Sequence, residues 1–448
     1  MPSMDSLVAN GRALPYYASI PATLLALAML FVALRSSQGR ATRFVIFAIW
    51  LRFILSAFHP ITFSSSPIGL SYNALGSIFI CGLGAWVLKP RGMFDVGLVP
   101  FYPILLAVIL SGFANHSVSP MVDMTVKYLY LAIITLAVSE SLQDDGWDEP
   151  LRKVFLPFLI LVGFQALSVL LGTVKAAESD GSASYIGGFY HEAGFSVALA
   201  GGLLVVCLRR RQVALYKVAW VLVFCVAIML ANYRTAILAM APLIGATALI
   251  GAARSVIREQ RVIVVGMMAA IVLAVGVGGA IAGRERFADL GAVAAQGTEL
   301  IKRPDQFNLD ERHLLSGRFV IWSGYLYGYS DSTPLQHIVG LGPNAWIGKF
   351  KVYAHNTLVS AIYELGIFGL ISTVFLWIWM LVLAIKSPKG VRGILVSAHI
   401  SFIILNMATM PLWMIEGMIY YGILCGATIA AFKAGRPQSR KILKQPAV

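Results

Sequence analysis

A single histidine stands directly before a long apolar run. In "YAHNTLVSAIYELGIFGL", residues 353–370, His355 and Asn356 precede a segment that begins amphipathic and turns wholly apolar after Gly366. An imidazole titrates at about pH 6.5, so it can accept a proton from a hydroxyl group at neutral pH. A capping or hydrogen-bonded structural histidine is the alternative. His355 precedes the apolar stripe, so periodicity does not force it into that stripe.

Four arginines next to apolar segments are candidates for binding an anion. Arg234 lies in "ANYRTAILAM" between two apolar runs, Arg284 and Arg286 directly follow another run, and Arg318 lies in "SGRFVIWSGYLYGY". A guanidinium binds phosphate oxygens in pairs while it stays protonated. Each arginine can also be an ordinary anchor that holds a lipid headgroup. The residue types alone leave both interpretations open.

Further polar side chains accompany these residues. His191 and Glu192 form an acid-base-capable pair at the start of another apolar run, where Glu192 can also interact with the positive end of the helix dipole. Asn356 and Glu364 share the polar face of the helix that follows His355, because helical positions advance by about 100° per residue. These four residues are secondary candidates for the site.

Composition indicates the environment that positions these groups. Hydrophobic residues make up 58% of the 448 residues and charged residues 12%, and the mean hydropathy is +0.78. Soluble domains carry about 25% charged residues, so this chain is predicted to be an integral membrane protein. The alternation of a membrane β-barrel is missing, which leaves helices as the spanning structure. The predicted fold is therefore all-α and polytopic.

Apolar runs predict thirteen membrane spans, or twelve if one weak span is lost. The chain then divides into an N-terminal transmembrane bundle (1–283), a large external loop with interfacial helices (284–357), and C-terminal helices with a basic tail (358–448). Aromatic residues at helical spacing in 316–329 predict one of the interfacial helices. The predicted spans lie near 14–34, 44–59, 69–88, 97–114, 122–139, 154–172, 193–208, 215–232, 235–253, 262–283, 358–385, 393–411 and 414–432.

Basic residues gather on alternate loops, which predicts the orientation. Positively charged loops stay in the cytoplasm, so the C-terminus is expected inside and the His355 loop outside. With thirteen spans the N-terminus lies outside, and with twelve it lies inside. This bias, together with attraction to anionic lipids, accounts for the net charge of +14. Nucleic acid is not an expected partner, because no basic and aromatic binding pattern interrupts the spans.

Several motifs together resemble one membrane enzyme superfamily. These are "GLGPNAW" at 340–346 and "AHNTLVSAIYELGIFGLI" at 354–371, with "SGRFVIW" and "YRTAILAM" upstream. The chain resembles the O-antigen ligase and polymerase superfamily, with Wzy-type polysaccharide polymerases and WaaL-type ligases, over about 185–371. The resemblance implies a GT-C-type glycosyltransferase of the bacterial inner membrane with a periplasmic active site. Its substrates would be oligosaccharides on undecaprenyl diphosphate, used as donor and acceptor.

The resemblance also implies roles for individual residues. His355 matches the histidine thought to activate the acceptor, while Arg234 and Arg318 match arginines expected near the donor diphosphate. Arg284 and Arg286 are kept as further diphosphate-binding candidates. The segment "GGFYHEAGFSVALA" is closer to the polymerase pattern Phe-x-Glu-Pro than to the ligase pattern, but Ala193 stands where proline would lie. The expectation is therefore a polymerase of exopolysaccharide or O-antigen, for which a xanthan-type gum is one product that the resemblance suggests.

The expected mechanism needs no cofactor. The predicted external side lacks the Asp-x-Asp triplet that holds a metal in many sugar-nucleotide transferases, and arginines can neutralise the departing diphosphate instead. Metal-independent transfer with inversion is therefore expected. The other expected partners are membrane lipid and proteins for chain-length control or export.

Two other functions remain open from the sequence. A ligase would transfer the glycan to a lipid A core. A transporter of polysaccharide or lipid carrier would also be basic and polytopic. Two observations speak against a transporter. Few charges lie within the predicted spans, of which Arg52 is the clear one, and the internal repeats that many transporters show are not apparent here.

Overall fold

The computed structural model of the chain describes residues 11–67, 69–175, 183–282 and 302–436. Within these ranges the regular structure is helical, with short 3₁₀ turns and without a β-strand. The α-helices are α1 (Tyr16–Ser36), α2 (Arg40–Ala57), α3 (His59–Thr62), α4 (Tyr72–Val87), α5 (Phe101–Ala114), α6 (Val118–Asp144), α7 (Asp148–Leu170), α8 (Glu192–Leu208), α9 (Ala214–Leu230), α10 (Arg234–Arg254), α11 (Arg261–Ala282), α12 (Leu309–His313), α13 (Arg318–Ser330), α14 (Pro334–Val339), α15 (Thr357–Lys386), α16 (Lys389–Ala408) and α17 (Ile415–Ala434).

Each of the thirteen predicted spans overlaps one of the long helices, and the ends differ by a few residues. Eight helices of the described chain are long and apolar enough to cross a membrane, and four shorter apolar helices accompany them. The prediction of an all-α polytopic membrane protein is therefore confirmed at this level. The stretch predicted as an interfacial helix forms α13, while its position relative to a membrane and the division into three domains stay predictions.

The C-terminal helix α17 lies at the centre of the bundle. Its residues are buried almost continuously, and it packs most extensively on α6 and then on α8. Glycine allows the close approach to α6, because a Cβ atom at Gly426 would lie 2.6 Å from the carbonyl oxygen of Thr135. Small residues at helix contacts are typical of membrane bundles.

The helix after His355 is broken at Gly366. This residue has φ 68° and ψ −168°, which is not a helical conformation. The loop at Gly340 packs into the break, where the amide of Leu341 donates to the carbonyl of Tyr363 at 2.9 Å and the amide of Gly342 donates to that of Glu364 at 3.1 Å. The carbonyls freed by the break are thus satisfied, as burial requires. The two glycine motifs that the sequence analysis singled out are packed together here.

Replacing Gly366 with alanine should destabilise the protein. A Cβ atom there would lie 2.3 Å from the carbonyl oxygen of Ile338, at a positive φ that glycine adopts without cost. We expect a loss of about 2–4 kcal/mol, from backbone strain together with the clash. Gly163→Ala is the matched control, because it lies in a helix with no atom within 4 Å of the added methyl group. Equal thermal unfolding midpoints for the two variants in detergent would contradict the prediction.

Candidate functional site

A small aromatic core fixes the loop that carries His355. The indole nitrogen of Trp322 donates to the carbonyl of Ala354 at 2.8 Å, and the hydroxyl of Tyr325 donates to the carbonyl of Val352 at 3.0 Å. Both donors lie on α13, and the ring of Tyr325 stacks on Phe350 with centroids 4.2 Å apart. The aromatic spacing of α13 therefore places the backbone directly before His355.

His355 itself adopts a backbone conformation that is uncommon for a residue with a side chain. Its φ is 53°, and its ring lies over Tyr353 with centroids 4.0 Å apart. The N-cap of α15 is Asn356, whose side-chain oxygen accepts from the amides of Leu358 and Val359 at 2.9 and 3.3 Å. Asn356 therefore takes the capping role that was the alternative for His355. Such strained conformations cluster at functional sites, where surrounding structure holds them.

The surroundings of His355 keep its imidazole neutral. The pKa of His355 is lowered to about 4, chiefly by burial and also by the positive charge of Arg318 and by the nearby His191, while Glu192 opposes these effects. Arg318, His191 and Glu192 are thus within electrostatic range of His355. A neutral ring at pH 7 is free to accept a proton.

His191 and Glu192 stand at the start of α8. The Nδ1 atom of His191 accepts from the amide of Ala193 at 3.1 Å, so the ring caps the helix, and burial lowers the pKa of His191. The Glu192 carboxylate is buried and forms an ion pair with Lys175. Lys175 was not among the predicted site residues, because a single lysine in a polar loop forms no recognisable pattern.

Arg318 is the first residue of α13, and its guanidinium lies beside α10. One guanidinium nitrogen contacts the hydroxyl of Thr235 at 3.5 Å, and Arg234 directly precedes Thr235 at the start of α10. The structure thus brings the Arg-Thr motif and the Ser-Gly-Arg motif together through the side chains of Thr235 and Arg318. The side chain of Arg234 and all of Arg284 and Arg286 lie outside the described part of the chain.

Glu364 is fully buried and forms a hydrogen bond with the loop that contains Asn344. Its carboxylate accepts from the hydroxyl of Ser360 at 2.5 Å, from the amide of Asn344 at 2.7 Å and from the indole of Trp413 at 3.5 Å. Asn344 and Trp413 both line the cavity described below. The contacts give Glu364 a positioning role behind the cavity wall.

A cavity of about 450 Å³ adjoins this cluster. It reaches the first turns of α4, α8 and α17, and Tyr353 and His191 form part of its wall. Arg52 and Glu416 lie in it as a buried ion pair, with nitrogen and oxygen 3.0 Å apart. Arg52 was predicted to lie within a span, whereas its partner Glu416 was not predicted. Arg52 and Glu416 are opposite charges within two predicted spans, and this pattern could have predicted the pair.

The arrangement can therefore accept a proton at His355 next to a cation at Arg318, beside a cavity that can hold a small molecule. Arg318, His191 and Glu192 act electrostatically on His355, while Asn356 and Glu364 make structural contacts. No family model matches the chain, and no curated protein matches it either.

Proposed function

We propose that the protein is a glycosyltransferase that polymerises oligosaccharide repeat units carried on undecaprenyl diphosphate. The observation that carries the proposal is His355, held neutral beside the guanidinium of Arg318 in a polytopic membrane protein. This pairing suits a reaction in which a hydroxyl loses a proton while a diphosphate departs. In the proposed orientation the site faces the periplasm from the bacterial inner membrane, and the C-terminus is cytoplasmic.

The reaction is a single displacement. The acceptor hydroxyl oxygen attacks the anomeric carbon of the donor, and the bond from that carbon to the diphosphate oxygen breaks. The electron pair leaves with the diphosphate, and the hydroxyl proton passes to the free nitrogen of His355. Attack opposite the leaving group inverts the anomeric configuration. His355 is therefore the general base of the proposed mechanism.

The charge of the diphosphate must be stabilised as it departs. Arg318 supplies one cation. Arg234 is the first residue of the adjacent helix α10, and its guanidinium is proposed as the second cation. A guanidinium offers paired donors to phosphate oxygens and needs no proton exchange. The mechanism is proposed as metal-independent, so we expect the transfer rate in excess chelator to equal the untreated rate. Loss of activity that added divalent metal restores would contradict this.

Two features connect the proposed polymerase to substrates of this class. The site lies where several helices begin, so a lipid-anchored diphosphate can reach it from the membrane while sugars extend into water. The cavity beside His355 offers space for part of the glycan. A GT-C-like arrangement and partners for chain-length control or export belong to the same proposal.

The direct test supplies purified protein with a lipid-linked repeat unit and examines the products on a gel. A polymerase yields a ladder of lengths. In a deletion strain, a polymerase predicts single repeat units on the carrier, whereas a ligase predicts lipid-linked polymer that is not transferred. Net flux across proteoliposomes without a new glycosidic bond would indicate a transporter and contradict the proposal.

The pH dependence should reveal the environment of His355. The base works only when it is unprotonated, so kcat/KM should fall on the acid side at a pH of about 4, the pKa of His355 in the free enzyme. Bound diphosphate offsets the charge of Arg318, which raises that pKa. The acid limb of kcat should therefore lie at higher pH than that of kcat/KM. Coincident limbs at about 6.5, the value of an unperturbed histidine, would contradict this assignment.

A further inference from the structure

The cavity beside His355 has walls of two kinds. Its aromatic part includes Tyr190, Trp346, Tyr353 and Trp413, and its polar part lies where α2, α4 and α17 meet. Small-molecule sites usually have volumes of about 300–1,000 Å³ and combine apolar walls with a few placed polar groups. The cavity, at about 450 Å³, fits that description.

The polar part is organised around the Glu416 carboxylate. Two guanidinium nitrogens of Arg52 lie 3.0 Å from Oε1, and the hydroxyl of Ser56 donates to the same oxygen at 2.8 Å. Arg52 also donates to the side-chain oxygen of Asn73. Among the described residues, the hydrogen bonds to this carboxylate end on Oε1, which leaves Oε2 with acceptor capacity.

Gly194 leaves the wall open in front of that oxygen. A Cβ atom at Gly194 would lie 3.9 Å from Oε2 of Glu416, and both residues line the cavity. A larger side chain at this position would therefore enter the space beside the carboxylate. The glycine lies in the first turn of α8, three residues after His191.

The charges in the cavity select among ligand classes. Arg52 pairs with Glu416, and Lys127 pairs with Asp123 at 2.7 Å, so these four charged residues of the described lining sum to zero. A diphosphate would need cations that are not already paired. A polyprenyl chain would exclude water from Oε2 of Glu416 without offering it a hydrogen bond, which is costly. A neutral sugar presents hydroxyl groups to the polar part and apolar C–H faces to the aromatic rings.

We propose that this cavity is a subsite for a neutral sugar residue of the acceptor glycan. The proposal rests on the proposed function for the identity of the glycan as acceptor. Tyr353 connects the cavity to the proposed base, because it lines the cavity and its ring lies 4.0 Å from the ring of His355. A sugar bound against Tyr353 lies next to the base that takes its hydroxyl proton. The carboxylate of Glu416 accepts hydrogen bonds from the sugar and takes no part in proton transfer.

The test is a binding experiment that does not depend on catalysis. Full-length protein in detergent is titrated by calorimetry with the methyl glycosides of glucose, galactose and mannose, and with methyl glucuronide as the acidic counterpart. At least one neutral glycoside should bind, and the glucuronide should bind at least about tenfold more weakly. The described cations of the lining, Arg52 and Lys127, are already in ion pairs, so neither is free to neutralise its carboxylate. Stronger binding of the glucuronide, or no binding of any neutral glycoside, would overturn the proposal.

Two variants at one position locate the binding. Gly194→Leu fills the space before Glu416 and should weaken the binding of the neutral glycoside at least about tenfold. Gly194→Ala is the matched control and should bind as the wild type does, since its methyl group makes only ordinary contacts and helix propensity favours alanine. Unfolding midpoints show whether both variants are folded. A folded Gly194→Leu protein that binds the sugar normally would overturn the location.

Failure of the subsite and failure of the enzyme give different results. A ladder that depends on His355, without binding of a neutral glycoside, removes the subsite and leaves the polymerase. Binding that is sensitive to Gly194→Leu, without any transfer product, keeps a sugar site and removes the polymerase. Binding together with a raised KM of Gly194→Leu in the ladder assay supports both.

Discussion

Replacing His355 with asparagine should lower the rate of glycan transfer by about 10²–10⁴-fold, the usual contribution of a general base. Asparagine tolerates the positive φ of this position better than most residues, so the backbone should persist while the imidazole is lost. The donor should still bind, because Arg318 is unchanged. The measurement is the initial rate of polymer formation from a lipid-linked repeat unit.

The chain offers a closely matched control for this experiment. His116 also has a positive φ, of 52°, and it is exposed in the turn between α5 and α6. His116→Asn makes the same chemical change in the same backbone conformation at a residue that does not line the cavity, and should leave the rate unchanged. A fully active His355→Asn protein would contradict the assignment of His355 as the base. Equal losses of rate in both variants would show that the effect comes from the backbone conformation.

Replacing Arg318 with glutamine should reduce kcat/KM by about 10²–10³-fold, or about 3–4 kcal/mol of transition-state stabilisation. The guanidinium is proposed to hold the departing diphosphate, and glutamine keeps hydrogen-bonding capacity without the charge. A second effect distinguishes this role from a structural one. The charge of Arg318 contributes to the low pKa of His355, so its removal should move the acid limb of kcat/KM upward from about pH 4.

Two further variants make the interpretation of Arg318 sharper. Arg303→Gln removes an arginine whose guanidinium lies 5.7 Å from the ring centroid of Tyr327. Tyr327 is on α13, the helix that Arg318 begins. Arg303→Gln should change neither the rate nor the acid limb. Arg318→Lys keeps the charge and loses the paired donors, so its kcat/KM should lie between those of the wild type and Arg318→Gln. An Arg318→Gln protein with an unshifted acid limb would show that the charge does not act on His355.

The described chain shows which parts of the site could be predicted from sequence. His355, His191 and Glu192 were selected because each adjoins an apolar run, and such runs must be helices in lipid. Arg318 was selected in the predicted interfacial helix, where the resemblance implies a role at the donor diphosphate. Their helices begin at one end of the bundle, so groups at the starts of these helices come together. Asn356 was predictable as a cap from the known preference for asparagine at that position, although the capping alternative was assigned to His355.

Other parts depended on contacts that no local pattern specifies. The pairs Lys175 with Glu192 and Arg52 with Glu416 join separate segments, the second across 364 positions of sequence. The strained φ of His355 results from α13, which holds the preceding carbonyls through Trp322 and Tyr325. The break at Gly366 exists because the Gly340 loop fills it. Each of these features is decided by what packs against the residue.

The apolar runs alone predict a bundle of membrane helices and roughly the residues at which each helix begins and ends. The physical reason is local, because an apolar run of sufficient length can satisfy its backbone in lipid only as a helix. The neutral state of His355, the effect of Arg318 on it and the position of Glu416 at a cavity follow from the folded structure alone. Burial and charge pairing arise from distant segments brought into contact, and the chemistry of the site depends on them.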